Sequence, residues 1–272
     1  MHYYLHAHPE LGLPRQKEVH FFLEQGNWDR GLDWYLRQFP DRPVRVESFG
    51  GRYSHYPIEQ GVAERMHQVL PDGRFIYMVR DPIERMLSRY THDVSIFQED
   101  REPEDAFSGD PLTNWYISES LYFTQLEQYR KYFDDDRFLI IDYDSFKYQR
   151  GATMRRVFRF LEVDENFVSD SFHVERNPTS GKRRKNAAGR FMHRHLGERF
   201  LTTLGQLPLP MKLQLAIRYR STQALYWLLS KPMERPRLDP NLRKSLVELF
   251  RPEVRQLEEF AGRRFPGWLN DE

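Results

Sequence analysis

An arginine and a serine lie where an apolar run meets a helix-forming run, and their chemistry suits an anion. Within RFIYMVRDPIERMLSRYTH (74–92), Arg80 follows the apolar run and Ser88 lies in the helix-forming run. A guanidinium presents a fork of N–H donors that matches phosphate oxygens, and a hydroxyl adds another donor. This corner therefore predicts a bound phosphate. The alternative from spacing alone is an arginine paired with Asp81 or Glu84 and a serine packed inside a helix.

The runs around Arg80 indicate how it would be positioned. FIYMV (75–79) is typical of a buried strand, and Asp81 followed by Pro82 predicts an N-cap and a helix over 82–92. In an open parallel sheet, ligands bind beyond the carboxyl ends of the strands. The free N–H groups at a helix start also attract anions. The expected elements thus converge on Arg80.

The rest of the chain alternates between helix-like and strand-like runs, as in a parallel sheet covered by helices on both faces. Residues 187–240 change character and are expected to form helices and loops with several prolines. The apolar spacing elsewhere predicts helices over 2–8, 57–70, 119–133, 151–163 and 240–261, the last interrupted at Pro252, and strands over 42–50 and 137–143.

The composition is typical of a soluble globular protein and excludes several kinds of site. The 272 residues are 39% apolar and 30% charged, with a formal charge of +1, so any anion site has to be local. The chain has no cysteine, which excludes disulfides, thiolate metal sites and a cysteine nucleophile. No run approaches the roughly 20 apolar residues of a membrane span, and MHYYLHAHPE lacks the features of a signal peptide. We therefore expect a cytoplasmic protein.

The Arg80 corner resembles the 3′-phosphate-binding motif of the sulfotransferases that use 3′-phosphoadenosine 5′-phosphosulfate (PAPS) as sulfuryl donor. Three further stretches resemble the heparan-sulfate-type and bacterial carbohydrate sulfotransferases: 8–22, with a His-Pro pair and Lys-Glu-x-His-Phe-Phe, then 121–146, then 177–186, a basic loop over the nucleotide. The motif positions in the corner are Arg80, Asp81, Pro82, Arg85, Ser88, Tyr90 and His92.

This resemblance implies a P-loop-like α/β fold, a three-layer sandwich with a mostly parallel central sheet flanked by helices. It implies a single sulfotransferase-like domain over 1–272, in which 187–240 forms a helical acceptor-side or variable region. In the family, a first strand and a loop containing Gly and Lys precede the His-Pro pair and grip the 5′-phosphosulfate. The sequence starts inside the helix that follows, so this strand and loop are expected to be missing. A late assigned start is favoured over a truncated gene or a loss of sulfuryl transfer.

The resemblance also implies catalytic roles. Glu18 is the candidate base that takes the acceptor's proton, His20 orients or assists it, and Lys17 lies near the sulfuryl group or binds an acidic acceptor. Without the resemblance, Glu18 would be a surface carboxylate paired with Lys17 or Arg15. Heparan-type relatives carry an acidic residue directly after the Phe-Phe pair, where this chain has Leu23 followed by Glu24. This difference weakens the expectation of a full catalytic network and of a heparan-like substrate.

The expected nucleotide site is built from residues in three segments of the chain. The basic run 182–185 would otherwise be a solvated face, and Tyr122 would otherwise be a core residue. The resemblance implies that the residues contacting the nucleotide are Arg80, Ser88, Tyr122, Gly181, Lys182 and Arg183.

The implied reaction uses PAPS as donor, releases 3′-phosphoadenosine 5′-phosphate (PAP), and needs no metal. The expected acceptor is a hydroxyl-bearing carbohydrate or glycolipid, and no motif for nucleic acid is present. Residues 207–231 could rest on a membrane surface as an amphipathic helix or shape the acceptor pocket. The rival hypothesis is a non-catalytic nucleotide-binding or interaction protein of the same fold, and a nucleotide or phosphoryl kinase is a weaker third.

Overall fold

The computed structural model describes residues 1–49, 51–174, 183–186, 188 and 227–270. The chain divides into two compact units. The larger unit comprises Met1–Met86, Ala106–Arg176 and Leu238–Glu272, and the smaller unit comprises Leu87–Asp105 and Asn177–Arg237. That both units belong to one functional domain over 1–272 stays a prediction.

Parallel strand pairs lie in the larger unit, as the sequence predicts. The predicted strand over 75–79 is confirmed, and the one over 137–143 is confirmed as a slightly shorter strand. The predicted strand over 42–50 is shorter still, because its partner strand, Leu11–Gly12, offers only two residues to pair with. The pairs are β1 (Leu11–Gly12) with β2 (Val44–Arg45) and β3 (Phe75–Val79) with β4 (Phe138–Asp142).

The predicted helices are found, with shifts at their ends that have local causes. The helix expected from residue 57 begins at Val62, because Gly61 has a left-handed φ of 70°. The helix expected over 151–163 ends at Phe160, and Glu162 is left-handed with φ 58°. The α-helices of the described residues are α1 (His2–Leu5), α2 (Gly31–Leu36), α3 (Val62–Val69), α4 (Pro82–Ser95), α5 (Pro103–Ala106), α6 (Trp115–Ser118), α7 (Tyr122–Arg130), α8 (Tyr143–Tyr148), α9 (Arg150–Phe160) and α10 (Pro240–Ala261).

The expected interruption of the last helix at Pro252 is wrong. Helix α10 runs continuously from Pro240 to Ala261, with Pro252 inside it. A proline removes one helical N–H and tends to kink a helix. Here buried side chains on both sides of Pro252, including Phe250 and Val254, hold the two halves on one core face.

Helices cover both faces of the β3–β4 pair, which gives the layered α/β arrangement that the sequence predicts. Successive strand residues point to opposite faces. On β4, Ile141 belongs to a buried cluster with Met154 and Phe158 of α9. Its neighbour Ile140 belongs to a different cluster, with Leu257 of α10 and Leu126 of α7.

The smaller unit contains an antiparallel strand pair, β5 (Arg183–Lys185) with β6 (Ser230–Pro232). The end of the basic run 177–186 is therefore a strand rather than a loop, because Arg183 and Lys185 pair with β6 and are buried. Of the segment 187–240, residues 187 and 189–226 lie outside the described residues, and so does most of 207–231.

Two searches of the described ranges bear on partners. Within them, no helix combines the length and the apolar composition needed to cross a bilayer. The same part of the chain holds no group of three or more His, Cys, Asp or Glu side chains arranged to bind a metal ion.

We expect Met154→Ala to lower the free energy of unfolding by about 2–5 kcal/mol, because it empties a fully buried site on the core face of α9. Urea unfolding measures this change. The matched control is Arg155→Ala, an exposed neighbour on the same helix, which should change the value by no more than about 0.5 kcal/mol. Equal effects of the two substitutions would contradict the packing of α9 described here.

Candidate functional site

Arg80 lies between the end of strand β3 at Val79 and the start of helix α4 at Pro82, and local sequence accounts for this geometry. Asp81 follows as the N-cap of α4, and its Oδ1 accepts the Glu84 backbone N–H at 3.0 Å. Pro82 is the first helical residue, a position where the missing N–H has no partner to lose. A positive side chain thus stands beside the N-terminus of a 14-residue helix, an arrangement that favours anions.

The Arg80 guanidinium already makes two protein contacts. One Nη donates to Glu84 Oε2 at 3.1 Å, and Cζ lies 5.0 Å from the centre of the Tyr143 ring. The ion pair considered as an alternative from the sequence is therefore present. This ion pair uses only part of the guanidinium, which carries about five N–H donors, and the Arg80 side chain is 30% exposed. Arg80 retains the capacity to bind phosphate oxygens.

Tyr122 holds the backbone at Arg80 through a hydrogen bond from the core side. Its hydroxyl accepts the Arg80 backbone N–H at 3.2 Å, and the side chain is buried in the core beside Tyr77. Burial raises the pKa of the Tyr122 hydroxyl to about 12, so the group stays protonated at neutral pH. Tyr122 is therefore a core residue that also holds the Arg80 backbone, and its contact with the nucleotide stays a prediction.

The chain beyond α10 returns to the same corner, a contact that sequence reasoning missed. Asp81 Oδ2 accepts the Leu269 backbone N–H at 2.7 Å, so each carboxylate oxygen of the cap holds a different backbone group. Trp268 stacks on Phe265 with ring centres 4.3 Å apart and lies 6.3 Å from Tyr122. No local pattern signals a contact between residues so far apart in the chain.

Arg85, another motif position, anchors the start of α4 rather than lying open to solvent. It pairs with Glu119, whose side chain is almost fully buried, and donates to Ser120 Oγ at 3.2 Å. Removing one member of such a buried pair would leave the other charge uncompensated. Arg85 therefore acts in this structure as a tie between α4 and the residues that precede α7.

Two further predicted nucleotide contacts lie in the smaller unit. Ser88 lies on α4 within the smaller unit, half-buried. Arg183 lies in the same unit, where it donates to Ser230 Oγ at 2.8 Å and stacks on Trp227 at 3.9 Å. Gly181 and Lys182 lie outside the described residues. The roles of these residues in nucleotide binding stay predictions.

The structure brings Glu18 and His20 together. Glu18 Oε2 lies 3.9 Å from His20 Nε2, and both side chains are about one-third exposed. In the described ranges Glu18 makes no ion pair with Lys17 or Arg15, the pairing that the sequence left open. Lys17 is exposed. A carboxylate beside an imidazole at an accessible surface can take a proton from an acceptor hydroxyl.

The backbone at His20 is unusual and depends on a glycine. His20 has a φ of 54°, which is uncommon for a residue with a side chain. Its carbonyl lies against Gly26, where an added Cβ would come within 2.1 Å of the His20 oxygen. Leu23, where the resemblance implies an acidic residue, is fully buried in the core, so it contributes packing and no proton chemistry.

Glu47 is a site residue that sequence reasoning missed. It lies in VESF, which read as a strand, yet its carboxylate accepts from Tyr35 and Tyr53 and from the Val19 backbone N–H, next to Glu18. Burial raises the pKa of Glu47 and outweighs the opposing hydrogen bonds. The same burial raises the pKa values of both tyrosines. The available signal was a single acid between the apolar residues Val46 and Phe49.

Comparisons with known proteins give a family match and a shared fold. A family model described as the sulfotransferase family matches residues 10–167, a range that includes Glu18, Arg80 and Tyr122. One solved structure with a similar fold is the crystal structure of a sulfotransferase from Alicyclobacillus acidocaldarius, which is 23% identical in sequence to this chain. The match covers 98% of this chain and 92% of that protein's chain, with a TM-score of 0.64. At that identity the likeness shows a shared fold.

Curated relatives include enzymes that act on heparan sulfate according to their names. The heparan sulfate glucosamine 3-O-sulfotransferase 5 of Mus musculus is 24% identical over 171 residues, which is 58% of this chain and 48% of the relative. A bifunctional heparan sulfate N-deacetylase/N-sulfotransferase 2 of Bos taurus is 24% identical over 180 residues, 60% of this chain and 20% of the relative. The chain thus spans about half the length of the first of these relatives, or less.

We expect Asp81→Asn to lower the free energy of unfolding by about 1–3 kcal/mol. An amide offers one acceptor oxygen, so its NH₂ group would face the N–H of either Glu84 or Leu269. Chemical unfolding measures the loss. The control is Asp72→Asn, the same change at an exposed surface ion pair with Arg137, where we expect less than about 1 kcal/mol. A stability of Asp81→Asn equal to that of the control would refute the double role of Asp81.

Proposed function

Since this chain belongs to the sulfotransferase family, we propose that it transfers a sulfuryl group from PAPS to a hydroxyl or amine of a carbohydrate, glycolipid or small-molecule acceptor. The resemblance recognised in the sequence is confirmed at the level of the family. The observation that carries the proposal is the Arg80 corner, where an arginine stands beyond a parallel strand and beside a helix N-terminus. Such a corner suits a phosphate.

The residues present fit a nucleotide that carries a 3′-phosphate. Arg80 would hold that phosphate beside the positive end of the α4 dipole, and Ser88 would add a hydroxyl donor. Gly181, Lys182 and Arg183 are proposed further contacts. PAPS supplies an activated sulfuryl group and leaves as PAP when the sulfur–oxygen bond to its 5′-phosphate breaks.

In the chemical step, the chain's own residues would remove a proton from the acceptor and place charged side chains around the reacting groups. Glu18 takes the proton of the acceptor hydroxyl as the acceptor oxygen forms its bond to sulfur. His20 Nε2, 3.9 Å away, orients the Glu18 carboxylate. Lys17, exposed in the same segment, would face the sulfuryl group or an acidic acceptor. Most of the rate gain would come from position and electrostatics.

A carbohydrate acceptor is supported by the relatives, two of which are named for activity on heparan sulfate. The proposal does not extend to heparan sulfate itself, because Leu23 occupies the position that is acidic in heparan-type enzymes and is buried. A cytoplasmic location and a membrane-surface contact through 207–231 remain proposals.

Arg80→Ala should weaken the binding of PAP by about tenfold to a hundredfold, because it removes charge-assisted hydrogen bonds to the 3′-phosphate. Isothermal titration calorimetry of the chain with PAP measures this. The matched control is Arg74→Ala, which removes the same charge at the opposite end of β3, where Arg74 pairs with Glu162. If the wild type binds no PAP, or if both substitutions weaken binding equally, the proposed nucleotide site is wrong.

Glu18→Gln should lower kcat for sulfuryl transfer by about 10²- to 10⁴-fold while leaving the affinity for PAP unchanged, because the amide cannot accept the proton. The assay follows PAP release with a panel of glucosamine-containing oligosaccharides, glycolipids and small alcohols. The control is Glu24→Gln, the same change at an exposed residue. A wild type that binds PAP but transfers sulfate to none of these acceptors would favour the non-catalytic nucleotide-binding protein.

A further inference from the structure

The segment that carries Glu18 and His20 has no helix or strand to fix its backbone. Its polar backbone groups are instead held by residues from other parts of the larger unit. Irregular backbone needs such partners wherever it is buried, because an unpaired N–H or C=O is costly. The contacts are Val19 N–H to Glu47 Oε1 (3.2 Å), Asn27 Nδ2 to Val19 O (2.7 Å), Asn27 N–H to His20 O (2.9 Å), Phe22 N–H to Tyr53 OH (3.3 Å) and Arg65 Nε to Phe22 O (2.7 Å).

Glu47 lies at the centre of this set. Its Oε1 accepts from Val19 N–H and from the Tyr53 hydroxyl at 3.0 Å, and its Oε2 accepts from the Tyr35 hydroxyl at 2.9 Å. Three donors therefore converge on one partly buried carboxylate, a group that accepts hydrogen bonds at both oxygens. The Tyr53 hydroxyl also accepts the Phe22 N–H, so one side chain influences the segment at two points.

The position of Val19 in the chain shows which part of the segment Glu47 can influence. Val19 is the residue between Glu18 and His20, and its N–H belongs to the peptide group that joins it to Glu18. His20, on the other side, has the uncommon φ of 54°. Strained conformations of this kind persist only where the surrounding contacts determine them. The bond from Val19 to Glu47 is thus placed to set how the side chains of Glu18 and His20 face each other.

We propose that Glu47 is a positioning residue for the proposed sulfuryl transfer, which fixes the Val19 backbone so that the Glu18 carboxylate and the His20 imidazole stay within reach of each other. This inference rests on the proposed function. Glu47 itself is not the base, because its oxygens are occupied by three donors. Phe21 and Phe22 are buried in the core beside Tyr35. Their packing anchors the segment to the core, while Glu47 sets the backbone geometry at Val19.

The test compares Glu47→Ala with two variants that separate positioning from stability. Glu47→Ala removes the acceptor for Val19, and we expect kcat to fall by about tenfold to a hundredfold with an unchanged affinity for PAP. Glu47→Gln keeps one acceptor oxygen for Val19 and should recover most of kcat. Tyr35→Phe removes only the donor to Oε2, so it should lower stability and leave kcat near that of the wild type. If Glu47→Ala fails to fold, Glu47→Asp, whose carboxylate is one methylene too short to reach Val19, replaces it.

A second readout does not depend on activity. In amide hydrogen exchange, the Val19 N–H should exchange about tenfold faster in Glu47→Ala, or in Glu47→Asp in its place, than in the wild type, because it loses its acceptor. The Val254 N–H in α10 serves as the reference and should not change. Unchanged Val19 exchange, or a kcat in Glu47→Ala equal to that of the wild type, would overturn the inference. If the wild type binds PAP without transferring sulfate, the proposed function fails, and the exchange experiment alone decides whether Glu47 fixes this segment.

Discussion

The parallel register between β3 and β4 is the constraint on which the Arg80 corner depends. Val79 pairs with Asp142, so the two strands end side by side. The next residues, Arg80 and Tyr143, are then neighbours across the pair, and the guanidinium lies over the Tyr143 ring. A shift of one residue would turn every side chain of the strand to the opposite face. It would also move Arg80 away from this ring, so the register places the cation.

Both strands leave the pair in the same way, through an aspartate that caps the following helix. Asp81 caps α4, and Asp142 caps α8 by accepting from Ser145 N–H at 2.9 Å. The Asp81 cap brings a negative charge close to the proposed phosphate site. At Asp81 the charge is taken up by two backbone N–H groups, and at Asp142 Arg263 lies 3.8 Å away. The helix starts are therefore held without cancelling the positive charge of Arg80.

The sequence predicted those parts of the structure that depend on short-range signals. The apolar run 75–79 and the Asp81-Pro82 pair specify a strand end and a helix start, and both lie where expected. The contact between Asp81 and Leu269 could not be predicted, because no local sequence pattern indicates a contact between residues that lie so far apart in the chain. The continuity of α10 through Pro252 was missed for a similar reason, since core packing outweighs a local preference against proline.

The two halves of the candidate site are held by different physics, and this difference bears on how each tolerates change. The Arg80 corner rests on strand pairing and a capped helix, which many sequences can form. The Glu18–His20 segment rests on individual side chains, chiefly Glu47, Asn27 and Tyr53. A base has to lie within hydrogen-bond reach of the proton that it removes, so small shifts would matter more for the proposed base Glu18 than for a phosphate held by charge at Arg80. The proposed carboxylate chemistry would therefore depend on residues that lie outside the recognised motifs, whereas the proposed phosphate site depends on the motif residues Arg80, Asp81 and Pro82 themselves.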